Sequence, residues 1–300
     1  MLTVEPPAPR QPPSARAAAR PAGTAFGTPR EFLGNRFVYA VVSPRARGLS
    51  LGVNLNPDQE CNFDCIYCEV DRRAHCRAMQ LDVDAMAGEL GRTLALVDSG
   101  RLVETLSFQG LPADLLQLRQ VNLSGDGEPT LCPLFLEVVQ AVLHVRARSG
   151  LPFFKIVLIT NATGLDRPAV AEGIRSLTAR DEVWAKLDAG TQAWMERINR
   201  PTVVLDKVLA NILALARQRP VVIQSLFPLI HGQKPPDPEI REYALRLKEL
   251  KEAGANLPLV QIYSATRPTP HSECGHLPLR SLARIAQVVR DTAGLRAEVF

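Results

Sequence analysis

Three cysteines fall within eight positions of this 300-residue chain. The run is Cys61-Asn62-Phe63-Asp64-Cys65-Ile66-Tyr67-Cys68, a C-x-x-x-C-x-x-C spacing. Thiolates are the usual ligands of iron–sulfur clusters. Three at this spacing can reach three corners of a cubane and leave the fourth iron without a local cysteine. An open iron is of little use for electron storage and well suited to holding a cofactor or substrate. A zinc site completed by His75 or Cys76 is one alternative. Such sites usually pair two short Cys spacings, and this chain has a single triplet. A ferredoxin-type cluster is another, but its run has two-residue gaps and a nearby fourth Cys before Pro. Cys132 and Cys274 lack a partner spacing. Cys274 lies between His271 and His276, in a segment expected to close over the site.

Other polar clusters could serve a bound cofactor. Ser124-Gly125-Asp126-Gly127-Glu128-Pro129-Thr130 combines glycines, which allow backbone approach, with carboxylates, which suit a cationic amine. Lys186 and Asp188 alternate on one strand and so share a face. Asp188 can accept from ribose hydroxyls and Lys186 can offset a carboxylate, or the two can pair with each other. Gln224 and Ser225 interrupt an apolar run and need partners, from a cofactor or from the protein. Arg267 is a candidate for an anionic group or a surface arginine.

These residues need elements to position them. Short apolar runs at 51–55, 103–108, 121–124, 153–160, 182–188, 221–227 and 259–264 predict buried parallel strands. Helical patterns alternate with them at 82–98, 132–148, 166–178, 202–218, 237–253 and 278–292. In 237–253 the stripe is Ile240, Tyr243, Ala244, Leu247 and Leu250, with Asp237 as cap and Pro238 in the first turn. In 278–292 it is Leu279, Leu282, Ile285, Ala286 and Val289. About six strand–helix units predict an α/β fold, a partial (β/α)6 TIM-like barrel rather than the full eight. Ligands gather at the carboxyl ends of such strands, and the polar clusters all fall there. No linker divides the body. The expected organisation is a disordered Pro/Ala/Arg-rich tail over 1–30 and one domain over 31–300 with a C-terminal helical extension.

The formal charge of +4 resides mostly in the tail, where Arg10, Arg16, Arg20 and Arg30 face only Glu5. The nearly neutral body gives no footprint for a dedicated nucleic-acid binder. No apolar run reaches the roughly 18 residues of a membrane span. Clustered thiols without a secretion signal predict a reducing, cytoplasmic setting.

The run CNFDCIYC, with an aromatic before its third cysteine, resembles the signature of the radical S-adenosylmethionine (SAM) superfamily. The resemblance implies a [4Fe–4S] cluster on Cys61, Cys65 and Cys68, with SAM chelated at the open iron and Tyr67 near its adenine. Reductive cleavage of SAM then gives a 5′-deoxyadenosyl radical that takes hydrogen from an organic substrate. The segment from Gly125 to Glu128 resembles the family's Gly-Gly-Glu element, which binds the SAM amino group, with Asp126 in place of the first glycine. Thr160-Asn161-Ala162 is similar to its Thr-Asn-Gly. A partial (β/α)6 barrel is also the family's fold. Further phrases, among them Tyr39–Arg45, Leu51–Asn54, Lys186–Asp188 and Arg267-Pro268, are similar to bacterial Fe–S oxidoreductases related to the tRNA wyosine-base synthases. Those synthases carry a second cluster on upstream cysteines, and here no Cys precedes Cys61. The expected partners are therefore a small-molecule substrate and an electron donor such as flavodoxin or ferredoxin. RNA-base modification is the alternative, and a non-catalytic zinc or Fe–S protein the other.

Overall fold

The computed structural model describes residues 32–72 and 79–300. The tail assigned to 1–30, and the alternative ligands His75 and Cys76, lie outside the described residues. The chain opens with a hairpin, β1 (Val38–Ser43) and β2 (Gly48–Asn54). There follow α1 (Val83–Asp98), β3 (Leu118–Ser124), α2 (Phe135–Arg148), β4 (Lys155–Thr160), α3 (Pro168–Ser176), β5 (Glu182–Lys186), α4 (Gln192–Ile198) and α5 (Leu205–Ala216). The last third holds β6 (Val221–Leu226), β7 (Pro228–Ile230), α6 (Asp237–Glu252), β8 (Val260–Tyr263), β9 (Cys274–His276), α7 (Leu279–Ala293) and β10 (Ala297–Val299).

Eight strands form one curled sheet in the order β1-β2-β3-β4-β5-β6-β8-β10. From β2 to β8 every pairing is parallel. This is the six-stranded partial barrel that the strand–helix count predicts. The two edges differ: β1 is antiparallel to β2, and β10 parallel to β8. β7 and β9 form a separate small ribbon.

Strand alternation gives the sheet two unlike faces. Leu49, Leu51, Val53, Val121, Leu123, Ile156, Leu158, Val183, Ala185, Val221, Ile223, Val260 and Ile262 point to the convex side. There they share one core with the buried stripes of the helices. The opposite, concave side carries Ser50, Asn54, Gln120, Asn122, Gln224 and Gln261, all buried. Val157, Trp184 and Val222, with Ile159 and Leu259, make a small apolar patch there, and Val41, opposite Ser50, and Leu226 add apolar surface to the same face. The strands are thus apolar on the helix side and largely polar on the lumen side, rather than apolar on both. Gly52 belongs to this design. A Cβ there would lie 2.0 Å from the Tyr39 ring, so glycine lets Tyr39 lie across β2 and bring its hydroxyl 3.1 Å from Ser124 Oγ.

Three expectations are corrected. The run 103–108 is short 3₁₀ turns, not a strand, because β2 already pairs directly with β3 and leaves no place between them. Asp237 is inside the first turn of α6, after Pro236 at the cap, and its carboxylate meets Arg284 at 2.7 Å. Ser225 faces the helices, not the lumen. Its hydroxyl donates to the Leu187 carbonyl at 2.5 Å and lies 2.5 Å from the Tyr243 hydroxyl.

Candidate active site

The loop after β2 carries the three thiols across the carboxyl-end mouth of the sheet. Phe63 and Ile66 anchor it in the core. Its backbone is tied to neighbouring loops at several points. Glu128 N donates to Glu60 O at 2.9 Å, and Thr202 N to Asn62 O at 3.0 Å. Asp64 N and Ile66 N donate to the carbonyls of Asn199 and Ile198, both at 2.9 Å. Side chains add to this. Asn161 Nδ2 donates to Asn62 Oδ1 at 2.8 Å, and Asn62 Nδ2 to Thr163 Oγ1 at 2.9 Å. The Tyr67 hydroxyl donates to Asp188. On the far side, Thr269 Oγ1 donates to Ile66 O at 3.2 Å and Arg267 pairs with Glu69 at 3.1 Å. Loops after β3, β4, β5 and β8 thus hold one short segment.

Gly127 makes the first of these ties possible. A Cβ there would sit 2.0 Å from Glu60 O and 2.6 Å from Asn56 Cβ. Gly125 and Asp126 turn against Asn54, which donates to the Asp126 carboxylate at 3.1 Å and accepts from Asp126 N at 3.1 Å. Glu128 points inward. It accepts from Thr130 N (3.1 Å), Thr130 Oγ1 (2.6 Å), Thr160 Oγ1 (2.5 Å) and Asn161 N (2.7 Å). Its burial still raises the carboxyl above its ordinary value, against those donors. Asp188, also buried, accepts from Leu226 N at 2.7 Å and Asn199 Nδ2 at 2.9 Å, besides Tyr67. Lys186 Nζ stands 3.5 Å from Asp188 Oδ1 and donates to the Tyr263 hydroxyl at 3.1 Å. Burial works against its charge, but Asp188 and Tyr263 outweigh it and its pKa is raised. Gln224 reaches Gln261 at 3.3 Å in the lumen. The sequence-read residues therefore do converge on one mouth, apart from Ser225. Their side chains are used largely to build it.

The thiols fit a cluster by their chemistry. Burial pushes the Cys61 thiol up to about 11, and burial followed by the Asp188 charge pushes Cys65 up to about 12. Such thiols become thiolates against a bound cation, since ligation and deprotonation are coupled. Donors already point at the sulfurs: Asn199 Nδ2 at 3.3 Å from Cys65 Sγ, and Phe63 N at 3.5 Å from Cys61 Sγ. Among the described residues no three Cys, His, Asp or Glu side chains are grouped around a single ion. A cubane does not require that, because each thiolate meets a different iron.

Asn199 is the residue that sequence reasoning missed. Buried at the end of α4, it donates to Cys65, Tyr67 and Asp188 together. It lies 134 positions from Cys65, and no local pattern marks it.

The comparisons agree with the geometry. A UPF0026 protein of Helicobacter pylori (strain J99) is 26% identical over 269 residues, 84% of this chain and 79% of that protein. A radical SAM methyltransferase from Sphaerobacter thermophilus superposes with a TM-score of 0.61 at 17% identity, over 88% of this chain and 68% of the other. Streptococcus suis SuiB bound to S-adenosylmethionine gives 0.57 at 16% identity over 85% of this chain, which spans about half (51%) of SuiB. No protein-family model matches the chain. At these identities the structural likeness is one of fold, and that fold is the partial barrel of the radical SAM enzymes. Among the described residues no helix is long and apolar enough to cross a membrane.

Proposed function

We propose that this chain is a radical SAM enzyme acting on a small organic substrate. Cys61, Cys65 and Cys68 hold a [4Fe–4S] cluster, and SAM occupies the mouth beside them. The observation that carries the reading is the anchoring of the thiol loop by loops after four different strands. A structural metal knuckle has no need of such a frame. Placing a reactive cofactor over a barrel lumen requires it. When bound, the cluster supplies the electron that cleaves SAM to a 5′-deoxyadenosyl radical.

The protein's own contribution is positioning. Tyr67, locked through its hydroxyl, presents its ring at the mouth for the adenine. The Gly125–Gly127 backbone and the half-buried Asp126 are offered to the cationic amine, since the Glu128 carboxylate already receives four donors. Lys186, paired with Asp188, stands over the Tyr67 ring at 4.9 Å from its centroid, and Asn161 steadies the thiol loop through Asn62. Asp188, Gln224 and Arg267 support this shape, and a flavodoxin- or ferredoxin-type donor supplies electrons.

Anaerobic reconstitution tests the reading. Iron and sulfide are counted per chain, and 5′-deoxyadenosine is measured with SAM and dithionite. Wild type should load a cluster and form the nucleoside. Ala at Cys61, Cys65 or Cys68 should lose both, and Ala at Cys132 should lose neither. Stoichiometric zinc with no SAM cleavage would overturn it.

A further inference from the structure

The lumen holds two cations at one aromatic ring. Arg45 leaves the turn between β1 and β2 and stacks its guanidinium on Tyr263, 4.3 Å from the ring centroid. Lys186 Nζ stands 5.4 Å from the same centroid. These residues come from opposite parts of the sheet, and its curl brings them together. Beside them, Arg47 from the same turn meets Glu298 of the last strand at 3.7 Å, so the hairpin turn reaches across the open side of the half-barrel.

One of these two charges is not paired. Arg45 Nε is buried with no hydrogen-bond partner among the described residues. Lys186 already pairs with Asp188 at 3.5 Å, so Arg45 is the cation left without an acid among the described residues. If Arg45 only sealed the seam, an apolar side chain would do so without leaving a buried donor unpaired, which costs free energy. Deeper on the same face, Ser50 Oγ and Gln120 Oε1 are also buried without partners, and they sit opposite each other in the β2–β3 register. Polar groups without partners line a space closed to the helix core.

We infer that the lumen seats the acid group of an anionic substrate, a carboxylate or a phosphate, between Arg45 and Lys186 at the Tyr263 ring. This rests on the proposed function for the substrate's place under the cofactor. Guanidinium and ammonium together match an oxyanion in charge and in donor geometry.

Calorimetry on the full-length, reconstituted protein with saturating SAM tests it, using succinate, inorganic phosphate and neutral succinamide as probes. One of the two anions should bind and succinamide should not; the anion that binds identifies the acid. Arg45→Gln and Lys186→Gln should each weaken that binding by about tenfold or more. Arg45→Lys, which keeps the charge, should retain most of it and carries the test if the Gln variant is unstable. Equal binding of succinamide, undiminished binding in Arg45→Gln, or competition between the anion and SAM would overturn the seat. 5′-Deoxyadenosine is measured in the same samples. SAM cleavage without charge-dependent anion binding sinks the seat alone. Anion binding without SAM cleavage sinks the radical reading and leaves the seat standing.

Discussion

Two buried carboxylates hold opposite ends of the thiol loop, and they do so in different ways. Glu128 is met only by neutral donors: two threonine hydroxyls and two backbone N–H groups. Its own backbone N–H then reaches Glu60, one residue before Cys61. Asp188 sits in a charged and aromatic setting, with Lys186 beside it and the Tyr67 phenol donating to it. Burial, and then the Asp188 charge, pushes that phenol well above its usual value, so it stays a donor. The Glu128 end is a rigid hydrogen-bond clasp. The Asp188 end is an electrostatic one, and Asn199 links it to the Cys65 sulfur.

The largest test falls on the clasp. Gly127→Ala should drive a methyl into the Glu60 carbonyl, where 2.0 Å is available, and push the loop off its seat. Iron and sulfide per chain should fall to background after reconstitution, with the apoprotein still folded. Normal loading would show that the Glu128 end does not set the position of Cys61.

Next comes Asp188→Ala, which leaves Lys186 as an uncompensated buried cation. Breaking such a pair costs about 3–5 kcal/mol, so the apoprotein Tm should fall on the order of 10 °C. Adding Lys186→Met should recover part of that loss. No recovery would mean that the backbone bond to Leu226, rather than charge, is what Asp188 supplies.

Glu128→Ala strips neutral donors only. Its cost should be smaller than that of Asp188→Ala, which also strips donors and in addition strands a buried cation, and is read by the same melting experiment. A larger fall than for Asp188→Ala would reverse the comparison.

The smallest effect is in pH. Burial raises the Glu128 carboxyl above its ordinary 4.5, so the folded state binds this proton more tightly than the unfolded one. Its stabilisation is fully present below that ordinary value and is lost as pH rises through the raised one. The difference in apoprotein Tm, wild type minus Glu128→Gln, should therefore decrease as pH climbs above 4.5. An increase instead would mean that the four donors outweigh burial.

The thiol triplet, the six parallel units and the polar loop ends were legible in the sequence, because each is local. Ligand spacing, β-branched runs and helical stripes repeat over a few residues and survive without knowledge of the rest of the chain. The β1–β2 hairpin was less visible, since its antiparallel edge uses the same apolar alphabet as a parallel strand. Tertiary structure alone decided how the polar residues are used. In sequence Glu128 reads as a carboxylate for a cationic amine, and Asp188 as one for ribose hydroxyls or for Lys186. The loops that carry them, after β3 and after β5, turn both toward internal donors. Ser225 and Gln224 are neighbours in sequence, yet the pleat sends them to opposite faces. Asn199 reaches Cys65, and Arg45 reaches Tyr263, only because parallel crossovers and the curl of the sheet close long stretches of chain. No local pattern records such contacts, since they depend on register and curvature, which the whole sheet determines at once.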